Sequence, residues 1–129
     1  MRRFRYVVAD VFTDTALTGN QLAVFTDARD LPEERLQQLA REMNFSETVF
    51  VYPSEVAHAR IRIFTPAVEV PFAGHPVLGS AFVLAGPLQV ETIRLETGVG
   101  VVPVRVEREG PRIVFGRMEQ PVIVARRRP

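Results

Sequence analysis

The chain has 129 residues, 47% of them hydrophobic, which suits a single domain with a real core and argues against disorder. Sixteen basic residues against 15 acidic ones leave a net charge of +1, with no long one-signed block before Arg126-Arg127-Arg128, so no nucleic-acid-binding surface is expected. No cysteine is present and every basic residue is arginine, which excludes disulfides, thiolate nucleophiles, thiolate metal sites and lysine Schiff bases.

Residues 3–12 are β-branched and aromatic and predict a half-buried strand with Asp10 near its end. Asp10 also interrupts the apolar stretch too early for a signal peptide, and no apolar run approaches the roughly twenty residues of a spanning helix. No membrane association is therefore expected, and a cytoplasmic location is. Residues 13–18 are turn-like, Gly19 and Asn20 suit a tight connection, and strand character resumes over residues 22–25. Asp30, with Glu33 three residues on, predicts an N-cap for a surface helix of about three turns. Its apolar face would carry Leu36, Leu39, Ala40 and Met43, and Asn44 would close it.

Strands follow over Glu47–Tyr52 and Ala59–Phe64, the second alternating arginines with aliphatics so that one side is wet. Residues 65–72 hold Pro66 and Pro71 and read as a rigid irregular loop. Residues 76–85 carry no charge on any side, which predicts a buried helix stopped by Gly86 and Pro87. Three more strands, Thr92–Thr97, 101–107 and 112–117, are separated by Gly98, Gly100 and Gly110. The expected fold is α+β: an antiparallel, barrel-like sheet of six or seven strands wrapped around a central apolar helix, plus one amphipathic surface helix. Residues 1–121 form this domain, and residues 122–129 read as a linker or frayed tail.

Two places carry chemical potential. Gly74-His75-Pro76 opens the apolar helix, where backbone amides at the positive end of the helix dipole suit a carboxylate and disfavour an imidazolium. The plainer alternative makes Gly74 a tight-turn residue and His75 a helix cap. Glu47 stands between the surface helix and an apolar strand, where desolvation would favour its protonated form and fit it for proton transfer; otherwise it is a solvated strand-edge residue. Asn20 offers a side-chain amide to a ligand or serves only the turn. Glu69 is expected to pair with Arg60 or Arg62 in a structural role, and His58, near Glu55, to be an exposed loop residue. Two histidines in such unlike settings, with no third ligand at a recognisable spacing, make no metal site.

In order along the chain stand Asp10-Val11-Phe12-Thr13, Gly19-Asn20-Gln21-Leu22-Ala23-Val24-Phe25, Asn44-Phe45-Ser46-Glu47-Thr48-Val49-Phe50, Phe64-Thr65-Pro66 with Glu69, and Pro71-Phe72-Ala73-Gly74-His75-Pro76-Val77-Leu78-Gly79. Glu96-Thr97-Gly98 and Met118-Glu119-Gln120-Pro121 follow. Together these segments resemble the PhzF-like phenazine-biosynthesis family, in the fold group of diaminopimelate epimerase. The resemblance implies a curved sheet around a central helix, present twice in a full protein, with the active site between the copies. It implies Glu47 as proton shuttle and His75 as its catalytic companion, with Asn20, Gly74 and Ser46 binding substrate.

Epimerases of this fold group use paired cysteines, and their absence here, with Ala73 before the Gly-His pair, fits one-base isomerisation without a cofactor. The resemblance covers almost the whole chain but only the first half of the family's length. The aspartate and hydroxyl-bearing segment of the second domain have no counterpart. The expectation is an isomerase acting on a small, carboxylate-bearing, possibly cyclic substrate, completed by a homodimer or by a complementary second-half chain. A non-catalytic small-carboxylate binding module, or an inactive fragment of a split gene, is the alternative.

Overall fold

The computed structural model describes the backbone of residues 4–11, 20–109 and 112–118, and side chains within residues 4–9 and 21–107. The strands are β1 (Tyr6–Val11), β2 (Asn20–Phe25), β3 (Glu47–Tyr52), β4 (Ala59–Phe64), β5 (Glu69–Val70), β6 (Thr92–Thr97), β7 (Gly100–Glu109) and β8 (Arg112–Met118). The helices are α1 (Leu36–Met43) and α2 (Gly74–Leu88). All strands join one sheet in the order β1-β2-β3-β4-β6-β7-β8, with β5 attached to β4. The short β5 lies inside the stretch expected to be loop.

The sheet is mostly antiparallel, as expected, but β2–β3 and β4–β6 run parallel. Parallel neighbours need a crossover, and the two helices provide them. One lies between β2 and β3, the other between β4 and β6. Strand alternation then assigns each helix a face. Leu22, Val24, Val49, Val51, Ile61 and Ile63 face Val77, Ala81 and Ala85 of α2 in the larger core. Their neighbours Phe25, Phe50 and Phe64 point the other way, onto Leu36 and Ala40 of α1. The three rings follow one another at centroid distances of 5.1 and 5.4 Å, the second pair edge to face. The backbones of β1 and β8, the two ends of the sheet, both run alongside α2, so the sheet curls around that helix.

Three local expectations are revised. The chain enters α1 through a 3-10 turn, Glu33–Arg35, whose cap position is Pro32 and which has no side-chain cap hydrogen bond. Asp30 is thus not the N-cap, and the Glu33 carboxylate is taken by the Arg62 guanidinium at 2.7 and 2.9 Å. Asn44 does close α1, in the left-handed region at φ 56°. Gly86 and Pro87 do not stop α2, which runs to Leu88 and closes on Gln89. Gly86 has no Cβ to meet the Pro87 ring, and in the last turn the missing proline N–H removes only one ladder bond. Nor is α2 enclosed all round: Phe82 is 40% exposed. It lies seven residues after His75, on the same side of the helix.

No helix among the described residues is long and apolar enough to cross a membrane. The expected tail at 122–129 lies outside the described residues.

Candidate active site

Glu47 is the first residue of β3, beside Leu22 in the parallel ladder. Its place two residues before Val49 puts it on the inner face, towards α2. Its Oε1 is buried and has no hydrogen-bond partner among the described residues. Burial pushes the carboxyl above the ordinary glutamate range, and the charge of His75 pulls the other way by a smaller amount. Glu47 and His75 are therefore close enough to feel each other electrostatically, although 28 positions separate them in the sequence.

His75 is the second residue of α2, and the cap position is Ala73, extended at φ −155° and ψ 139°. His75 is thus not the helix cap. Gly74 and His75 are both half-buried. Pro76, in the first turn, lacks an N–H where the helix ladder does not use one. Ahead of α2 the chain is held from several directions. Thr65 Oγ1 accepts the N–H groups of Ala67 and Val68. Gln37 Nε2, on α1, donates to the carbonyls of Thr65 and Pro66. Arg62 grips Glu69 at 2.8 and 2.9 Å while it holds Glu33, so the expected structural role of Glu69 is served by Arg62. Arg60 instead lies over the Tyr52 ring, 5.7 Å from its centre.

Ser46, Asn20 and His58 complete the residues that the sequence singled out. Ser46 is exposed in the bend before β3. Asn20 pairs through its backbone with Val11 at the start of β2, the end of the strand nearer Glu47, but its side chain lies outside the described residues. His58 is exposed, as expected, yet it is anchored: its Nδ1 accepts the Arg94 N–H at 2.8 Å and its own N–H donates to the Arg94 carbonyl at 3.0 Å. A cavity of about 350 Å³, lined by Tyr52, His58, Leu84 and Leu88 among others, opens at the far end of α2. It contains neither Glu47 nor His75.

Residues 9–127 match the family model described as phenazine biosynthesis-like protein. The chain belongs to this family. Among curated relatives, the trans-2,3-dihydro-3-hydroxyanthranilate isomerase of Pseudomonas aeruginosa is 50% identical over 119 residues, which cover 92% of this chain and 43% of that protein. A solved structure of the PhzF family from Bacillus anthracis superposes with a TM-score of 0.74 at 32% identity, covering 88% of this chain and 39% of that one. The chain thus spans about two fifths of the length of these relatives. A probable proline racemase from Agrobacterium radiobacter, with a TM-score of 0.62 at 18% identity over 78% of this chain and 38% of that one, shares the fold. The architecture is that of the diaminopimelate epimerase-like group.

The Glu96-Thr97-Gly98 segment, which the sequence offers only as part of the PhzF-like pattern, has structural work in this fold. Glu96 accepts the Ser54 hydroxyl at 2.7 Å, and that hydroxyl accepts the N–H groups of Val56 and Ala57. Thr97 Oγ1 donates to the Gly100 carbonyl and accepts the Val99 N–H, closing the turn into β7. Gly98 donates its N–H to the Pro71 carbonyl at 3.0 Å. Sequence reasoning missed this contact, because a close approach between residues 27 positions apart leaves no local periodicity; the only signal was the glycine itself.

Proposed function

We propose that this chain supplies one half of a cofactor-independent isomerase site in which Glu47 carries a proton between two carbons of a small cyclic carboxylate. The observation behind this reading is the buried Glu47 Oε1, which has no hydrogen-bond partner among the described residues and lies within electrostatic reach of His75 at the start of α2. A desolvated carboxyl with a raised pKa exchanges its proton nearer neutrality, as a group that must act as base and then as acid requires. The start of α2, with Gly74 and His75, would receive the substrate carboxylate. Asn20 and Ser46 would complete the substrate contacts. The relative's activity suggests trans-2,3-dihydro-3-hydroxyanthranilate as the first substrate to try. Glu47 would take a proton from a ring carbon and return it to another carbon on the same face.

The remaining wall of the cleft is supplied, in this reading, by a second-half chain or by a second copy of this one, in the cytoplasm. The test incubates the chain with that substrate in deuterium oxide, alone and with the second half of a relative. Product carrying solvent deuterium is expected, and Glu47→Gln should slow its formation at least about 10²-fold. Equal binding by both proteins with no deuterium in any product would instead identify a carboxylate-binding module. Light scattering addresses the second-copy option, which a strictly monomeric chain defeats.

A further inference from the structure

We infer that Gly98 is a positioning residue for the start of α2: by meeting Pro71 without a side chain, it fixes where Gly74 and His75 sit relative to Glu47. This rests on the proposal that the start of α2 receives the substrate carboxylate. Strand β4 pairs along one edge with β3, and its other edge is shared. β6 takes the first part, at Ala59 and Arg60, and β5 takes the last, at Ile63 and Phe64. Pro71, just after β5, and Gly98, just after β6, close the join with the 3.0 Å hydrogen bond.

The glycine is there for closeness and not for an unusual backbone angle. Gly98 lies outside the left-handed region, unlike Gly100 at φ 117°. A Cβ on Gly98 would stand 2.7 Å from both Cα and Cβ of Pro71 and 3.0 Å from its carbonyl oxygen. Two of those atoms are backbone and the third belongs to a rigid ring, so none can rotate aside. One of the two segments would have to move.

The β6 side is the stiffer one. Thr97, buried, spans its own turn with the two hydrogen bonds already described, and Glu96 is tied to Ser54. On the other side, displacement passes directly into the site. Glu69 is held by Arg62, Val70 is paired with Ile63, Phe72 packs on the inner core, and Ala73 is the cap of α2. Only Phe72 and Ala73 separate Pro71 from Gly74.

The experiment compares Gly98→Ala with Ser54→Ala, which frees the Glu96 side chain near the end of β6 without adding bulk at Pro71. The readouts are melting temperature, the backbone amide resonances of Gly74 and His75 in the ligand-free chain, and the affinity for anthranilate as a small aromatic carboxylate. Gly98→Ala should move both resonances and weaken anthranilate about tenfold or more, the scale expected when a binding group is displaced by part of an ångström. Ser54→Ala should lower the melting temperature and leave both resonances and the affinity in place.

If Gly98→Ala does not fold, Pro71→Gly alone tests the same contact and should shift the same two amides. The inference is overturned if Gly98→Ala, or Pro71→Gly in its place, lowers the melting temperature as Ser54→Ala does while the Gly74 and His75 resonances stay put. Failure of the wild-type chain to bind anthranilate would count against the functional proposal instead, and the ligand-free resonances would still decide the role of Gly98.

Discussion

At its first turn α2 is crowded, with Pro71 pressed on Gly98, Glu69 locked by Arg62, and Glu47 Oε1 buried nearby without a hydrogen-bond partner among the described residues. At its last turn there is room. Beyond its chain neighbours and the helix's own backbone, a Cβ on Gly86 would meet nothing within 4 Å, Pro87 omits a ladder bond, Leu88 is exposed, and the helix closes on Gln89. The C-terminal end has only to stop a helix, and it tolerates an imperfect cap. The N-terminal end contains a desolvated acid that folding alone would not favour, surrounded by contacts that fix its geometry. Around one helix, close packing and desolvation gather where chemistry is proposed, and open space where it is not.

The largest test of this contrast is Glu47→Gln. Beyond the loss of turnover, it should raise stability near neutral pH, because it removes a carboxylate the fold desolvates. The sign follows from linkage. The folded chain holds the Glu47 proton more tightly than the unfolded chain does, so wild-type stability falls as pH rises from the ordinary glutamate value through the raised one. The melting-temperature advantage of the glutamine variant should open across that window and vanish in acid below it. An advantage that persists unchanged in acid would show that desolvation of Glu47 is not the cause.

Arg62→Met comes next, since it keeps the apolar stem and removes the grip on both glutamates. The Arg62 side chain is only 17% exposed, whereas Glu33 is 73% exposed and Glu69 40%. A loss of about 1–2 kcal/mol is expected in chemical denaturation, more than an ordinary surface pair contributes. Glu69→Gln should account for more of it than Glu33→Gln, because the more exposed partner is better solvated without the pair. The reverse order would mean that Arg62 chiefly braces the entry to α1 and not the approach to α2.

Much of this was legible in the chain. The charge-free stretch after His75 predicted the central helix, because such a segment has no polar side to leave in water. The alternation in Ala59–Phe64 predicted a strand with one wet side; Ile61 and Ile63 do meet the inner core, but the arginine side is partly covered, since Phe64 packs there in the second core. Strand direction was not legible: β2 and β3 run parallel because α1 carries the chain back across the sheet, and a residue pattern with period two is the same in either direction. Desolvation of Glu47 was one of two readings its apolar neighbours allowed, and the buried Oε1 agrees with it. The electrostatic link to His75 follows from how β3 and α2 are placed in three dimensions, which neither segment encodes alone.

The smallest effects concern how the two helices end. Asn44 and Gln89 both adopt the left-handed conformation, at φ 56° and 59°, and each donates its N–H to a carbonyl four residues back. Asparagine tolerates that region and glutamine does not share its advantage. Gln89→Gly should therefore stabilise the chain by about 0.5–1 kcal/mol, the relief of the Cβ clash less the extra freedom glycine gives the unfolded chain. Asn44→Gly should change stability by only about a few tenths of that unit. Thermal melts of the two variants side by side are enough to tell. If Gln89→Gly gains no more than Asn44→Gly, the last turn of α2 is held by contacts of the glutamine side chain, and the loose end of the helix is more constrained than its open surroundings suggest.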